Sequence, residues 1–102
     1  MQTNNRDLTI RGAGSAIRAL RTEAGLSLAG LADKCGWDKS RLSKYETGGV
    51  GLSLDELERI AKALGKPVLV VVHRCLRERY PNLGKTKLGR AFEEMVLDQY
   101  GA

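Results

Sequence analysis

The chain has 102 residues, carries a formal net charge of +5 and is 42% hydrophobic. Its length suits one domain with a modest core, and its apolar fraction excludes a chain that is disordered throughout. No segment approaches the roughly 18 consecutive apolar residues of a membrane span, and no signal-peptide pattern opens the chain. We therefore expect a cytoplasmic protein without a membrane partner, and the positive charge favours a polyanionic partner.

The cysteines and the histidine give little support to catalysis or to a metal site. Cys35 and Cys75 lie far apart, which suits packed thiols in a reducing compartment better than a disulfide or a zinc site. His73 could ligate a metal with Cys75, but no second pair completes a tetrahedral site. We expect neither an enzyme nor a bound cofactor or metal.

The N-terminal part of the chain divides into an arm and a helix. Residues 1–12 are polar and lack a clear periodicity, so we expect a flexible arm. Arg6 and Arg11 leave open a second interpretation, in which the arm reaches a groove or the backbone of a nucleic acid. Apolar residues then recur at helical spacing from about Gly14 to Ala24, which predicts the first helix.

Residues 27–48 read as two short helices joined by a tight turn. Leu28, Leu31 and Cys35 fall on one face of the first of these helices. Gly36 ends it, because glycine enters a left-handed turn without a steric penalty. Asp38 then stands where the N-cap of the next helix belongs.

The helix predicted over 39–46 separates its side chains by chemistry. Leu42 and Tyr45 point to one side, and Arg41 lies on the flank. The opposite side carries Lys39, Ser40, Ser43 and Lys44. A helix this short and polar is not stable alone, so its apolar side must pack on a core. Its outer side then offers short and cationic donors, as a helix in the major groove of DNA requires.

A glycine-dense loop and a further helix follow. The loop at 47–51 either brings backbone N–H groups close to phosphate or is a plain connector. Ser53 and Glu56 match a capping box, which opens a helix that runs to Leu64. Gly65 closes this helix and Pro67 prevents its continuation.

From Ile17 to Leu64, about half of its length, the chain resembles the lambda-repressor/Xre-type helix-turn-helix DNA-binding domain. The resemblance is carried by Ile17-Arg18-Ala19-Leu20-Arg21, Ala24-Gly25-Leu26-Ser27, Leu31-Ala32, Gly36, Leu42-Ser43-Lys44-Tyr45-Glu46-Thr47-Gly48 and Ile60-Ala61-Lys62-Ala63-Leu64-Gly65. It implies a bundle of four to five helices over 13–66 that binds double-stranded DNA through the helix at 39–46.

The resemblance also implies roles for individual residues. Lys39, Ser40 and Lys44 would face base edges, and lysine favours guanine. Contacts to the DNA backbone or to the flank of the site fall to Ser27, Arg41, Ser43, Thr47, Gly49 and Arg21. Arg21 would also form a structural ion pair with Glu46, the alternative being two independent surface charges. Where many family members carry a glutamine this chain has Leu28, which leaves Ser27 as a weaker phosphate contact.

The run after Pro67 is apolar and β-branched, which predicts a strand over 67–73. A lone strand leaves its backbone unpaired, so we expect it to pair with the same strand of a second copy about a two-fold axis. The dimerisation residues would be Val68, Leu69, Val70, Val71 and Val72. A helix, or an extended segment packed on its own core, is the alternative. Antitoxins of the HipB type look similar here.

Beyond a basic connector, apolar residues at helical spacing predict a terminal amphipathic helix over about 85–99. Its apolar side is formed by Leu88, Ala91, Phe92, Met95 and Val96. This helix would cover the sheet, extend a dimer contact or bind a separate protein. We assign residues 67–102 to a dimerisation or partner-binding extension.

The sequence therefore predicts a mainly α fold: a helix-turn-helix bundle, one C-terminal strand and a terminal helix. The predicted function is that of a homodimeric transcriptional repressor or autoregulator, associated with the nucleoid and bound to a palindromic operator. One alternative is an antitoxin that neutralises a toxin protein while regulating its own operon. Another is a structural nucleic-acid binder without sequence preference.

Overall fold

The computed structural model describes residues 9–100, which form six α-helices and one 3₁₀ turn. The helices are α1 (Gly14–Glu23), α2 (Leu28–Cys35), α3 (Lys39–Glu46), α4 (Leu54–Leu64), α5 (Val68–Arg79) and α6 (Lys87–Tyr100), and the 3₁₀ turn spans Leu83–Lys85. The mainly helical fold expected from the sequence is confirmed, and the first four helices have the expected boundaries within about a residue.

The core lies among the first five helices. α1 packs on α3 and α5, α2 packs on α3 and α4, and α4 packs on α5. The largest fully buried side chains are Ile17, Leu20, Leu31, Leu42, Leu52, Leu57, Ile60, Val71, Cys35 and Cys75. Because α5 contributes Val71 and Cys75, the core extends past the boundary expected at residue 66.

Side-chain caps fix where α2, α3 and α4 begin. Ser27, Asp38 and Ser53 each accept a hydrogen bond from the backbone N–H three residues further on. The Glu56 carboxylate accepts the N–H of Ser53 at 2.7 Å, which completes the capping box. These caps satisfy N–H groups that a helix start otherwise leaves unpaired.

A glycine sets the distance between α1 and α3. A Cβ added at Gly14 would lie 2.2 Å from the carbonyl oxygen of Glu46 and 2.4 Å from that of Tyr45. The first turn of α1 therefore rests directly on the last turn of α3. A larger residue at position 14 would push the two helices apart.

The segment before α1 is tied to the rest of the domain. Ile10 and Leu52 exchange two backbone hydrogen bonds, at 2.7 and 2.8 Å. Residues 9–12 of the expected arm are therefore attached to the segment that precedes α4. Residues 1–8, among them Arg6, lie outside the described residues.

The prediction of a strand over 67–73 is wrong, because Val68–Arg79 forms α5. A short run that is apolar throughout has no period that separates a strand from a buried helix. Packing against α1 and α4 overrides the modest strand preference of valine. Pro67 fits just before the first turn, where its φ is −61° and its missing N–H costs nothing.

The prediction that this strand pairs with the same strand of a second copy is therefore wrong as well. A helix satisfies its own backbone hydrogen bonds, so this segment needs no pairing strand. Val71 is fully buried within the chain, and the other four expected dimerisation residues are half-buried: Val68, Leu69, Val70 and Val72.

α6 docks on α5 and on the 3₁₀ turn. A Cβ at Gly89 would lie 1.7 Å from the carbonyl oxygen of Leu83, so the helix start touches the turn backbone. Val96 is buried, and His73 of α5 shares a 2.9 Å hydrogen bond with Glu93 of α6. The inner side of α6 is therefore centred on Gly89, Glu93 and Val96.

This inner side differs from the apolar side expected from the sequence. Val96 is buried as expected, but Leu88 is 82% exposed and Met95 is 42% exposed. The contacts of Gly89 and Glu93 rotate the helix so that part of its apolar surface faces outward. Among residues 9–100, no helix is long and apolar enough to span a membrane.

Candidate nucleic-acid interface

The apolar side of α3 holds the helix in the core. Leu42 is completely buried and Tyr45 is 5% exposed. Lys39, Ser40 and Lys44 are all exposed, on the side that faces away from the core. The structure therefore brings the three expected base-reading residues together on one accessible surface, which we call the α3 outer face.

Asp38 organises the start of this face. Its carboxylate accepts the backbone N–H of Arg41 and the hydroxyl of Ser40, both at 2.9 Å. These two hydrogen bonds, the backbone one foremost, hold the pKa of Asp38 below its usual value. Because the Ser40 hydroxyl donates to Asp38, its oxygen keeps lone pairs that can accept a further hydrogen bond.

The far end of α3 is fixed by an ion pair with α1. Arg21 donates from Nε to Glu46 at 2.7 Å and from Nη2 to the other carboxylate oxygen at 3.1 Å. Its Nη1 donates to the carbonyl of Leu26 at 3.0 Å. The side chains of Arg21 and Glu46 are only 12% and 7% exposed. All three guanidinium nitrogens of Arg21 are thus engaged within the protein.

Arg41 lies on the flank of α3, and its contacts turn it toward α4. Its Nε donates to the Tyr45 hydroxyl at 3.1 Å, and its Nη2 reaches Glu56 at 3.3 Å. Its guanidinium also lies 4.5 Å from the centre of the Trp37 ring. The expected contact of Arg41 with a DNA phosphate therefore competes with three contacts inside the protein.

Tyr45 and Glu56 complete this connection between α3 and α4. The Tyr45 hydroxyl donates to the Glu56 carboxylate, which already caps α4. Burial, followed by this hydrogen bond, raises the pKa of Tyr45. Burial by itself would raise the pKa of Glu56, but its hydrogen bonds from Ser53, Tyr45 and Arg41 outweigh burial and lower it.

Sequence reasoning missed this set of contacts, although two signals for it were present. Arg41 and Tyr45 stand four residues apart, which places them side by side on a helix. The capping box predicted for Glu56 uses one of its carboxylate oxygens, so the other can accept a hydrogen bond from α3. The proximity of α3 to the start of α4 depends on tertiary packing, which no local pattern reports.

The loop after α3 uses its first backbone donors internally. The N–H groups of Thr47, Gly48 and Gly49 donate to the carbonyls of Ser43, Tyr45 and Lys44, respectively. The Thr47 hydroxyl also donates to the Ser43 carbonyl, at 2.9 Å. This arrangement argues against the expected phosphate contacts of Thr47 and Gly49, because their donors close the end of the helix.

Ser27, the other expected phosphate contact, keeps a hydroxyl donor that the helix cap does not use. It is exposed, and its hydroxyl oxygen accepts the N–H of Gly30 at 3.0 Å, which leaves the hydroxyl hydrogen free to donate. Leu28, next to it, is half-buried against the core. Ser43 is also half-buried and lies beside Lys44 on α3.

Comparison with known proteins agrees with this geometry. A helix-turn-helix family model matches residues 17–71, which is more than half of the chain. Among solved structures, the clp gene regulator ClgR from Corynebacterium glutamicum is 27% identical over 72% of this chain and 91% of its own, with a TM-score of 0.59. No curated protein matches the chain by sequence.

Two further structures extend the likeness. A variant of the restriction-modification controller protein C.Esp1396I is 26% identical over 68% of this chain and 92% of its own, with a TM-score of 0.59. Another ClgR structure, at 24% identity, covers 93% of this chain and 97% of its own with a TM-score of 0.63, which extends the shared fold through the C-terminal region. The chain belongs to the lambda-repressor/Xre-type helix-turn-helix family of DNA-binding transcription regulators.

Proposed function

We propose that the chain represses transcription as a homodimer that binds a palindromic operator, with α3 of each copy in a major groove. The observation that supports this proposal is the α3 outer face: Lys39, Ser40 and Lys44 project together while Leu42 and Tyr45 anchor the helix. A dimer of this kind reads two half-sites about 34 Å apart, one turn of DNA.

Each residue of the interface has a distinct task in this proposal. Lys39 and Lys44 donate to guanine O6 and N7, and Ser40 contacts a neighbouring base edge. Ser27 donates its free hydroxyl hydrogen to a phosphate at the start of α2, where the helix dipole favours an anion. Arg21 and Arg41 act differently, since both hold α3 in position through contacts inside the protein.

Similar proteins support a regulatory role. ClgR is described as a gene regulator and C.Esp1396I as a controller protein. The antitoxin alternative depends on a strand like that of HipB-type proteins, and this chain has a helix at that position. Repression through operator binding is therefore the function that we propose.

The test begins with the selection of bound sites from random duplexes. We expect a palindromic site with guanine in each half. Lys39→Ala and Lys44→Ala should each weaken binding to the selected site by about 1–3 kcal/mol and relax the base preference, with little change on random DNA. Lys85→Ala removes an exposed lysine of the 3₁₀ turn, outside α3, and is the matched control.

Two results would contradict the proposal. An equal loss on selected and random DNA would show that the lysines contact only phosphate, and the salt dependence would then fall by about one unit of slope per lysine. Failure of the selection to enrich any sequence would show a binder without sequence preference.

A further inference from the structure

The outer side of α6 carries an apolar stripe that the described chain leaves uncovered. Leu88, Ala91 and Met95 stand at helical spacing on one side of α6, and all three are exposed. Leu88, at 82%, is the most exposed of the large hydrophobic side chains among residues 9–100. Leu88 and Met95 are two turns apart, with the small side chain of Ala91 between them.

The charges along the exposed surface of α6 are divided by sign. Lys87 and Arg90 lie in its first half, and Glu94 and Asp98 lie in its second half. All four are exposed, whereas Glu93 is occupied by His73 and by Arg77, whose Nε lies 3.4 Å away. The outer side of α6 is thus basic at its start and acidic at its end.

This division identifies what would fit the stripe. A second α6 in the antiparallel direction would bring the basic half of each helix level with the acidic half of the other. A parallel second copy would set like-charged halves level with each other. The surface is therefore complementary to itself in one orientation, as a two-fold interface requires.

We infer that the chain dimerises through α6, which packs antiparallel on α6 of a second copy about a two-fold axis near Ala91. Ala91 lets the two helices approach closely, and Leu88 of each copy packs on Met95 of the other. Lys87 and Asp98 lie on the same flank of the stripe, so each pairs with its counterpart across the axis. A contact of one helix pair is small, which makes the dimer reversible.

The inference rests on the proposed function in that it supplies the homodimer which two half-sites require. It is tested without DNA, by sedimentation equilibrium of the full chain over a range of concentrations. We expect a reversible dimer. Leu88→Asp should raise the dissociation constant at least tenfold, because it places a charge in the apolar contact.

Leu97→Asp is the matched control. Leu97 is 49% exposed on the same helix, but it lies nine residues from Leu88 and so points to the opposite side. This variant should keep the wild-type mass, and circular dichroism should show that both variants retain their helices. A monomeric wild type, or equal dissociation of both variants, would overturn the inference.

Charge reversal tests the antiparallel direction. Lys87→Asp and Asp98→Lys should each weaken the dimer, and the double variant should restore it. A double variant weaker than either single one would overturn the antiparallel arrangement. Co-purification of a different protein with a chain that remains monomeric would assign the stripe to that partner and would also overturn the inference.

The α6 dimer and the reading of bases by α3 fail separately. A monomer that still selects a DNA sequence would overturn the α6 dimer and leave the reading of bases by α3 intact. A dimer that selects no sequence would overturn the reading of bases by α3 and leave the α6 dimer intact.

Discussion

Arg21 on α1 and Glu46 at the end of α3 form a two-point ion pair, with nitrogen–oxygen distances of 2.7 and 3.1 Å. The side chains are nearly buried, so neither charge can be solvated well if its partner is lost. The guanidinium also donates to the Leu26 carbonyl just before α2. One arginine therefore joins three parts of the DNA-binding unit.

We expect Arg21→Ala to destabilise the fold by about 3 kcal/mol, because it leaves the Glu46 carboxylate buried without its partner. The measurement is urea unfolding followed by circular dichroism. The double variant Arg21→Ala with Glu46→Ala should be less destabilised than the sum of the two single variants. Exact additivity would show that the two groups do not interact energetically.

Gly14→Ala should destabilise the fold by about 1–3 kcal/mol, because its Cβ would overlap the carbonyls at the end of α3. The comparison is Gly49→Ala, where the nearest atom lies 3.7 Å from the new Cβ and the change should stay within about 0.5 kcal/mol. Thermal unfolding of the two variants measures the difference. Equal melting temperatures would contradict the close contact between α1 and α3.

Stability should fall in acid because of carboxylates whose pKa lies below the ordinary value in the folded state. The hydrogen bond from Arg74 lowers the pKa of Glu23, and hydrogen bonds lower those of Asp38 and Glu56. A carboxylate with a lowered folded pKa contributes stability that is fully present above its unfolded pKa and is lost as pH falls through its folded pKa.

The ordinary value is 4.5 for Glu56, so the urea midpoint should hold at neutral pH and decrease once pH drops below this value. Glu56→Gln should show a smaller decrease between pH 5 and pH 3, since it removes one of these groups. The exposed Glu58→Gln is the control and should follow the wild type. A midpoint that rises in acid would contradict the predicted sign.

Both cysteine thiols should resist alkylation in the folded protein. Cys35 and Cys75 are 1% and 0% exposed, and burial raises the pKa of both thiols, that of Cys75 to about 12. The thiolate is the reactive form, so neither burial nor protonation favours attack at neutral pH. Mass spectrometry after iodoacetamide treatment should find no adduct on the folded chain and two after unfolding. Rapid labelling of the folded chain would contradict this packing.

Local signals explain why the first four helices could be predicted from the sequence. Ser27, Asp38 and Ser53 cap helix starts within a few residues of themselves, and Gly36 and Gly65 end helices with φ of 73° and 69°. Such signals need no knowledge of distant parts of the chain. The position of Lys39, Ser40 and Lys44 on the outer side of α3 likewise follows from helical spacing and from the burial of Leu42.

Tertiary contacts explain why other predictions from the sequence were wrong. The apolar run from Val68 carries no period, so only packing against α1 and α4 decides that it is helical. The inner side of α6 is selected by Gly89 against the 3₁₀ turn and by Glu93 against His73, which a spacing argument cannot foresee. The turn of Arg41 toward Glu56 has the same origin.

The connections of α3 at both ends have a consequence for recognition. Glu46 ties its last turn to α1, and Glu56 ties Tyr45 and Arg41 to the start of α4. The helix that we propose to read the operator therefore keeps its orientation in the free protein. Binding then requires little reordering of the backbone, so most of the contact energy on α3 is available to distinguish one sequence from another.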